Sequence, residues 1–154
     1  MTDTKVPKRR TARLEEQLCF VIYQAGHAFT RMYRSALAEL GLTYPQYLVM
    51  LVLWDGDGMT VKALGERLSL DSGTLTPLLK RLEAAGLIRR ERGREDERQV
   101  HLHLTQTGEA LREKGACVPA AMGEAIGGIV NSDGRLLGDL KALREALLKA
   151  SDHS

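Results

Sequence analysis

The sequence predicts a mainly α-helical domain with one small two-stranded β-hairpin, on one observation of composition and two of spacing. Aromatic residues make up only 5% of the 154 residues while hydrophobic residues reach 44%, which favours helices over a sheet-rich sandwich or barrel. Apolar side chains recur every three or four positions over most of the chain, as on one face of a helix. The segment 87–104 alternates with a period of two around a charged loop, as hairpins do.

The N-terminal third is predicted to form a basic arm and two helices. Residues 1–13 are rich in lysine and arginine, which is typical of a flexible, solvated tail. Apolar residues spaced by three or four over 14–40 predict a long helix closed by Gly41. Pro45 fits the first turn of a second helix, because its missing N–H leaves no bond unmade there. The run YLVMLVLW that follows is apolar on all sides, as in a buried helix.

A pair of helices and a hairpin follow. Thr60 is predicted to cap a short helix, and a tight connection at 69–72 leads to a second helix that ends at Gly86. Two strands, 87–92 and 99–104, then flank the charged loop.

The second strand and the C-terminal third of the chain are predicted from the alternation of apolar residues and from one further helix cap. In the second strand, the residues expected to face the core are Val100, Leu102 and Leu104, and those expected to face solvent are His101 and His103. Thr105 is predicted to cap a further helix that includes Leu111. The remainder is amphipathic helix, interrupted by Gly127-Gly128 and Asp133-Gly134.

The order helix, turn, helix, hairpin is that of a winged helix-turn-helix, whose second helix enters the DNA major groove. Short hydroxyls at the N-terminal end of that helix can contact bases or phosphates, while Asp71 is expected to act as its cap. Arginines in the loop suit a narrow minor groove; without the helix pair, the same charges would indicate a solvated loop. The candidate DNA-binding residues are Ser72, Thr74, Thr76, Lys80, Arg94, Asp96 and Arg98.

One such module buries too little surface for tight binding, so we expect a homodimer on pseudo-palindromic double-stranded operator DNA. The winged helix-turn-helix is predicted over about 60–105. The apolar stripes of the helices at about 14–40 and 105–150 are candidates for the dimer interface, although each could instead complete the core of one chain.

Several classes of protein are disfavoured. The charged start of the chain lacks the apolar core of a signal peptide, and the longest apolar run, 47–54, is too short to cross a bilayer. With two cysteines and no export signal, the sequence predicts a cytoplasmic protein without membrane association. The histidines show no metal-like spacing with the cysteines, so no metal and no cofactor are expected.

Three stretches carry a resemblance to a known family. They are LEEQLCFVIY (14–23), LTYPQYLVMLVLW (42–54) and the segment 68–105, which contains Asp96-Glu97-Arg98. On these stretches the chain resembles the MarR family over roughly 14–119, and within it the organic hydroperoxide resistance regulators. The resemblance implies a single MarR-type domain over 14–154 and a repressor that binds DNA when reduced. Organic hydroperoxide is then the inducer that releases it.

The same resemblance assigns roles to particular residues. The reactive thiol maps onto Cys19, the tyrosines that hold it onto Tyr33 and Tyr44 with Tyr23 nearby, and a second, resolving thiol onto Cys117. Phenolic O–H donors would stabilise the thiolate, the form that attacks a peroxide. Geometry adds an independent constraint: Tyr33 lies roughly 21 Å along a helix from Cys19, so the two can meet only across a dimer interface.

Other interpretations of these residues stay open. Cys19, beside Leu18 and Phe20, is compatible with a small core residue, and Cys117 with a helix-packing residue. A MarR-type repressor released by a small aromatic ligand would leave Cys19 structural. A thiol peroxidase would use both cysteines, but the sequence offers no second catalytic group and the hairpin would have no role. An enzyme is therefore not expected.

Overall fold

The computed structural model describes residues 13–94, 96–126 and 134–151. Its elements are α1 (Leu18–Ala36), α2 (Tyr44–Asp55), α3 (Val61–Leu68), α4 (Ser72–Ala84), β1 (Ile88–Arg92), β2 (Val100–Leu104), α5 (Gln106–Ala110), α6 (Arg112–Ile126) and α7 (Arg135–Ser151). The predicted fold class, mainly α with a small β-hairpin, is confirmed. The predicted arm apart from Arg13, and the interruptions at Gly127-Gly128 and Asp133, lie outside the described residues.

The single long helix predicted over 14–40 is wrong at both ends. A 3-10 turn, Leu14–Glu16, precedes α1, because Gln17 between them has extended backbone angles. At the other end Leu37 is fully buried, and its carbonyl accepts the N–H of Leu42 at 3.4 Å, which turns the chain into the core. Gly41 closes the segment with φ +65° as predicted, a conformation that favours glycine.

The buried helix predicted after Pro45 is confirmed as α2. Pro45 lies in its first turn, and the Thr43 N–H donates to Gln46 Oε1 at 2.8 Å. Six of its side chains are buried: Tyr47, Val49, Met50, Val52, Leu53 and Trp54. Because α2 is covered on nearly all sides, it forms the centre of the core on which the other elements pack.

The predicted helix pair and hairpin are confirmed. Thr60 caps α3 by accepting the Ala63 N–H at 3.1 Å, and α4 follows after a left-handed turn at Ser69. The leucine face of α4 is buried at Leu75, Leu79 and Leu82. Strands β1 and β2 then pair antiparallel, with Ile88 opposite Leu104 at the base of the hairpin and Arg92 opposite Val100 near its tip.

The prediction that His101 and His103 face solvent is wrong, because the segment 57–60 lies along the other edge of β2. The Leu102 N–H donates to the Met59 carbonyl at 2.8 Å, and the Gly58 N–H donates to the Leu102 carbonyl at 3.0 Å. Both histidines are half-buried. Leu102 is fully buried as expected.

Thr105 caps α5 as predicted, since its Oγ1 accepts the Gly108 N–H at 3.0 Å. The helix stops at Ala110, however, and Leu111 is its C-cap rather than a member. Helix α6 then returns along α1 and α2. Helices α1 and α7 contain no buried residue. No helix in the described part of the chain combines the length and the apolar content of a membrane span.

Candidate functional site

Helix α4, which we call the recognition helix, carries a hydrogen-bonded set of polar side chains at its N-terminal end. Asp71 Oδ1 accepts the Thr74 N–H at 2.9 Å and Asp71 Oδ2 accepts the Thr74 hydroxyl at 2.8 Å. These hydrogen bonds hold the pKa of Asp71 below its usual value, and the bond from the Thr74 hydroxyl has the larger effect. The Thr76 hydroxyl donates to the Ser72 carbonyl at 2.7 Å. Asp71 is therefore the cap that the sequence predicted, and Ser72 and Lys80 stay exposed beside the two threonines.

The loop of the β1–β2 hairpin, which we call the wing, is shaped by Asp96. Its Oδ1 accepts the Arg98 N–H at 3.0 Å, and its carbonyl accepts the Gln99 N–H at 3.0 Å. Gly93 packs so close that a Cβ there would lie 2.6 Å from the Asp96 carbonyl oxygen. Asp96 thus builds the turn, while Arg94 and Arg98 extend from it into solvent.

An ion pair fixes the first strand of the β1–β2 hairpin to the recognition helix. Arg90 on β1 donates from Nε and Nη2 to Glu83 Oε2 at 2.8 and 2.6 Å, and its backbone N–H donates to Oε1 at 3.1 Å. The Arg90 side chain lowers the pKa of Glu83. Because the planar guanidinium donates twice to one carboxylate oxygen, this contact holds β1 against the last turn of α4.

A cleft of about 430 Å³ opens between α3, the recognition helix and the wing. Thr76 and Arg98, both predicted DNA-binding residues, line it together with Arg90 and Lys62. Lys62, in the first turn of α3, is a cation that the sequence reasoning missed. Its position two residues after the cap Thr60 was the signal available, because an N-terminal helix turn is a place where anions bind.

Cys19 lies on an exposed apolar surface at the start of α1. It is the second residue of the helix, and its Sγ is 3.7 Å from Gln17 Oε1. Its neighbours Leu18, Val21 and Ile22 are all exposed. The break at Gln17 thus places the thiol in the first turn of α1.

The tyrosines predicted to hold the thiol lie at two separate positions in the structure. The rings of Tyr33 and Tyr44 lie together with centroids 4.5 Å apart, and both are half-buried. Burial, and then the neighbouring Tyr44, raise the pKa of Tyr33, which keeps its O–H available as a donor. Tyr23 packs edge-on against His27 at 4.4 Å instead. Within one chain α1 separates Tyr33 from Cys19 by roughly 21 Å, at 1.5 Å per residue.

Cys117 lies on α6 in a cleft of about 260 Å³ against the C-terminal end of α1. Ser35 and Ala36 at the end of α1, and Glu39 just beyond it, form the opposite side of that cleft. The Cys117 side chain is exposed, and its S–H donates to the Glu113 carbonyl at 3.5 Å. The structure therefore groups Cys117 with Tyr33 and Tyr44 at one end of α1 and leaves Cys19 at the other. Two thiols so separated cannot form a disulfide within one chain.

The comparisons with known proteins point to one family. Residues 31–114 match the family model described as transcriptional regulator SarA/Rot. The chain is 54% identical over 134 residues to the HTH-type transcriptional regulator TtmR of Methylorubrum extorquens, covering 87% of this chain and 69% of the relative. It is 47% identical over 135 residues to the organic hydroperoxide resistance transcriptional regulator of Bacillus subtilis, covering 88% and 87%.

Solved structures agree with this. The reduced, DNA-bound form of AbfR superposes with a TM-score of 0.77 at 34% identity, over 88% of this chain and 95% of that chain. The disulfide form of AbfR superposes with a TM-score of 0.64 at 35% identity, over 88% and 93%. From the matched length, the identities and the shared winged helix, the chain belongs to the MarR/SarA-type family of helix-turn-helix transcriptional regulators.

Proposed function

We propose that this regulator is a homodimeric repressor that binds operator DNA when reduced and releases it when an organic hydroperoxide oxidises Cys19. The observation that carries the proposal is the placement of the thiol and the tyrosines at opposite ends of α1. Two antiparallel copies of α1 would bring Cys19 against Tyr33 and Tyr44 of the partner subunit. A named hydroperoxide resistance regulator among the relatives supports the choice of oxidant.

The exposed apolar surface of the terminal helices supports the homodimer. Leu18 and Ile22 on α1 and Leu137 and Leu140 on α7 are 38 to 61% exposed. Exposed apolar side chains of this kind, on helices with no buried residue, are typical of an interface between subunits.

The exposed hydroxyl and cationic side chains of the recognition helix and the wing support the proposed DNA interface. Ser72, Thr74, Thr76 and Lys80 would lie in the major groove, with Arg94 and Arg98 reaching the adjacent minor groove or phosphates. Asp96 would act by shaping the wing rather than by contact with DNA, since its oxygens accept backbone N–H groups of the turn.

The chemistry at Cys19 is a two-electron oxidation. The thiolate attacks the terminal oxygen of the hydroperoxide, so an S–O bond forms and the O–O bond breaks. The alkoxide that leaves takes up a proton to give the alcohol, and the sulfur becomes a sulfenic acid. Phenolic O–H donors from the partner subunit's Tyr33 and the partner subunit's Tyr44 would stabilise the attacking thiolate. A switch of this kind operates in the reducing cytoplasm, where the thiol is regenerated.

Cys117 is proposed to resolve the sulfenic acid. Its thiolate attacks the Cys19 sulfur of the other subunit, the S–S bond forms, and the S–O bond breaks with loss of water after protonation. The position of Cys117 beside the Tyr33 and Tyr44 end of α1 supports this, because that end would meet the partner's Cys19. On a non-reducing gel the oxidised parent should run as a covalent dimer and Cys117→Ser as a monomer. A parent that releases DNA yet stays monomeric on the gel would leave Cys117 with a packing role.

The test of the proposed function is a gel shift on the DNA upstream of the protein's own coding sequence, with and without organic hydroperoxide. The parent should release this DNA on oxidation, and Cys19→Ser should bind it equally in both conditions. A Cys19→Ser variant that still responds to hydroperoxide would contradict the proposal and favour a repressor controlled by a small aromatic ligand.

A further inference from the structure

Two buried aromatic side chains on α2 connect the candidate thiol site to the rest of the core. Tyr47 and Trp54 are 1% and 6% exposed, and their ring centroids lie 6.3 Å apart. On the other side the ring of Tyr47 is 6.1 Å from that of Tyr33, which in turn contacts Tyr44. The four rings therefore form one continuous aromatic path from the end of α1 to the end of α2.

Both buried rings are hydrogen-bonded to the segment that follows the wing. The Tyr47 O–H donates to the Gly115 carbonyl on α6 at 3.0 Å, and the Trp54 Nε1–H donates to the Gly108 carbonyl on α5 at 3.0 Å. Burial raises the pKa of Tyr47 to about 12, so its phenol remains a donor. The Trp54 ring also packs against Gly115, where a Cβ would lie 2.5 Å from Cη2 and Cζ3.

Gly108 lies directly against the junction between the recognition helix and the wing. A Cβ at Gly108 would overlap the carbonyl oxygen of Leu87. The Thr105 N–H donates to that same carbonyl at 3.1 Å, and the Thr105 hydroxyl donates to the Gly86 carbonyl at 2.6 Å. Because Gly86 and Leu87 join α4 to β1, a displacement of Gly108 must move this junction or break these contacts.

We propose that Trp54 is a positioning residue for DNA release, which couples the candidate thiol site to the α4–β1 junction through its hydrogen bond to Gly108. The inference rests on the proposed function. Oxidation of the partner subunit's Cys19 displaces Tyr33 and Tyr44, and the close-packed path carries the displacement through Tyr47 to Trp54. The Trp54–Gly108 bond then transfers it to the recognition helix. Trp54 has this effect without contacting DNA or the oxidant, and it leaves the chemistry at Cys19 unchanged.

The test is Trp54→Phe, which keeps an aromatic ring and removes the Nε1–H donor. Operator affinity is measured for the reduced and the hydroperoxide-treated protein, and the rate of Cys19 oxidation is followed by mass. We expect the affinity ratio between the two states to fall about tenfold, within the range known for coupling residues, while the oxidation rate stays within about twofold of the parent. Leu64→Val is the control, because it removes one methylene from the core of α3, outside the path.

The outcomes separate the two proposals. A parent that keeps its DNA after treatment overturns both. If the parent and Trp54→Phe release DNA equally on oxidation, only the coupling role is overturned. The coupling role is also overturned if Leu64→Val loses as much coupling as Trp54→Phe.

Trp54 is the one tryptophan of the sequence, so its fluorescence provides a second measurement if Trp54→Phe does not fold. Emission should shift on oxidation of the parent and not of Cys19→Ser; an unchanged emission in both overturns the coupling role.

Discussion

The winged helix and the terminal helices are both rich in regularly spaced leucines, yet they differ in what covers those leucines. Leu64, Leu75, Leu79, Leu82 and Leu102 of the winged helix are at most 1% exposed, whereas Leu18, Leu137, Leu147 and Leu148 of the terminal helices are 54 to 61% exposed. The leucines of the winged helix are thus covered within one chain, whereas those of the terminal helices are exposed in it. Spacing predicts that a helix has an apolar face, but it does not say which chain covers that face.

The polar groups show the same contrast. In the winged helix, Thr60, Asp71 and Thr105 each cap a helix with an oxygen that accepts a backbone N–H. At the start of α1 the N-cap Gln17 makes no such bond. Cys19 lies at this end of the helix, whereas Tyr33 and Tyr44 lie at the other. The proposed DNA-binding part is therefore finished in the single chain, while the proposed sensing site would need a second copy.

The largest expected effect tests whether the winged helix is closely packed within one chain. Gly108→Ala should lower the free energy of unfolding by at least about 3 kcal/mol, because the new methyl overlaps the Leu87 carbonyl. Gly123→Ala is the matched control: no atom lies within 4 Å of its Cβ, so a gain of about 0.5–1 kcal/mol is expected. Urea unfolding at one fixed protein concentration measures both. Equal stabilities would contradict the packing at this junction.

The second prediction tests whether the terminal helices need a partner. Leu140→Asp on α7 should weaken dimerisation about 100-fold, because a carboxylate would be buried where an apolar side chain was. Lys141→Asp also introduces an aspartate on α7 but beside the apolar stripe, and it should leave the dimer intact. Sedimentation equilibrium gives both dissociation constants. If Leu140→Asp dimerises as well as the parent, α7 is not part of the interface.

The third prediction concerns the wing as the outermost part of the self-contained region. Arg98→Ala should weaken operator binding by about 1–3 kcal/mol, and reduce the salt dependence by about one counterion if the contact is to phosphate. Its fold should persist, since the bond to Asp96 comes from the Arg98 backbone. Arg112→Ala on α6 removes the same charge elsewhere and serves as the control. An unchanged affinity for Arg98→Ala would remove the wing from the interface.

The smallest expected effect is a loss of stability at alkaline pH, caused by the buried Tyr47. The pKa of Tyr47 is raised from 10.0 to about 12, chiefly by burial. The unfolded chain therefore releases this proton at a lower pH than the folded chain, and the free energy of unfolding should fall as pH rises from 10 to 12. The stabilisation that arises from the raised pKa of Tyr47 is fully present below pH 10. Tyr47→Phe should make this part of the pH profile flatter, and an identical slope in both proteins would contradict the assignment.

Much of the winged helix could be predicted from the sequence, because its signals are local. The caps at Thr60, Asp71 and Thr105 each bond to an N–H three residues further on, so a short window contains the whole interaction. Gly41 and Gly86 end their segments with positive φ for the same local reason.

The errors arose where distant segments decide the outcome. Leu37 leaves the helix because it is buried against the core, and His101 is covered by residues 57–60 more than forty positions away. The ion pair of Arg90 with Glu83 likewise depends on how β1 packs against α4. The position of Lys62 in the cleft depends on how α3 packs beside them. Periodicity in one window carries no information on such contacts.

The most direct test of the central claim, that the thiol site is built from two chains, is complementation between two defective variants. One chain carries Cys19→Ser, and the other carries Tyr33→Phe with Tyr44→Phe. A mixed dimer has one intact thiol, which would face the intact Tyr33 of the partner subunit and the intact Tyr44 of the partner subunit. Its Cys19 should react with organic hydroperoxide at the parent rate, whereas the homodimer of the tyrosine variant should react several-fold more slowly. A mixed dimer that reacts as slowly as the tyrosine variant would contradict the account.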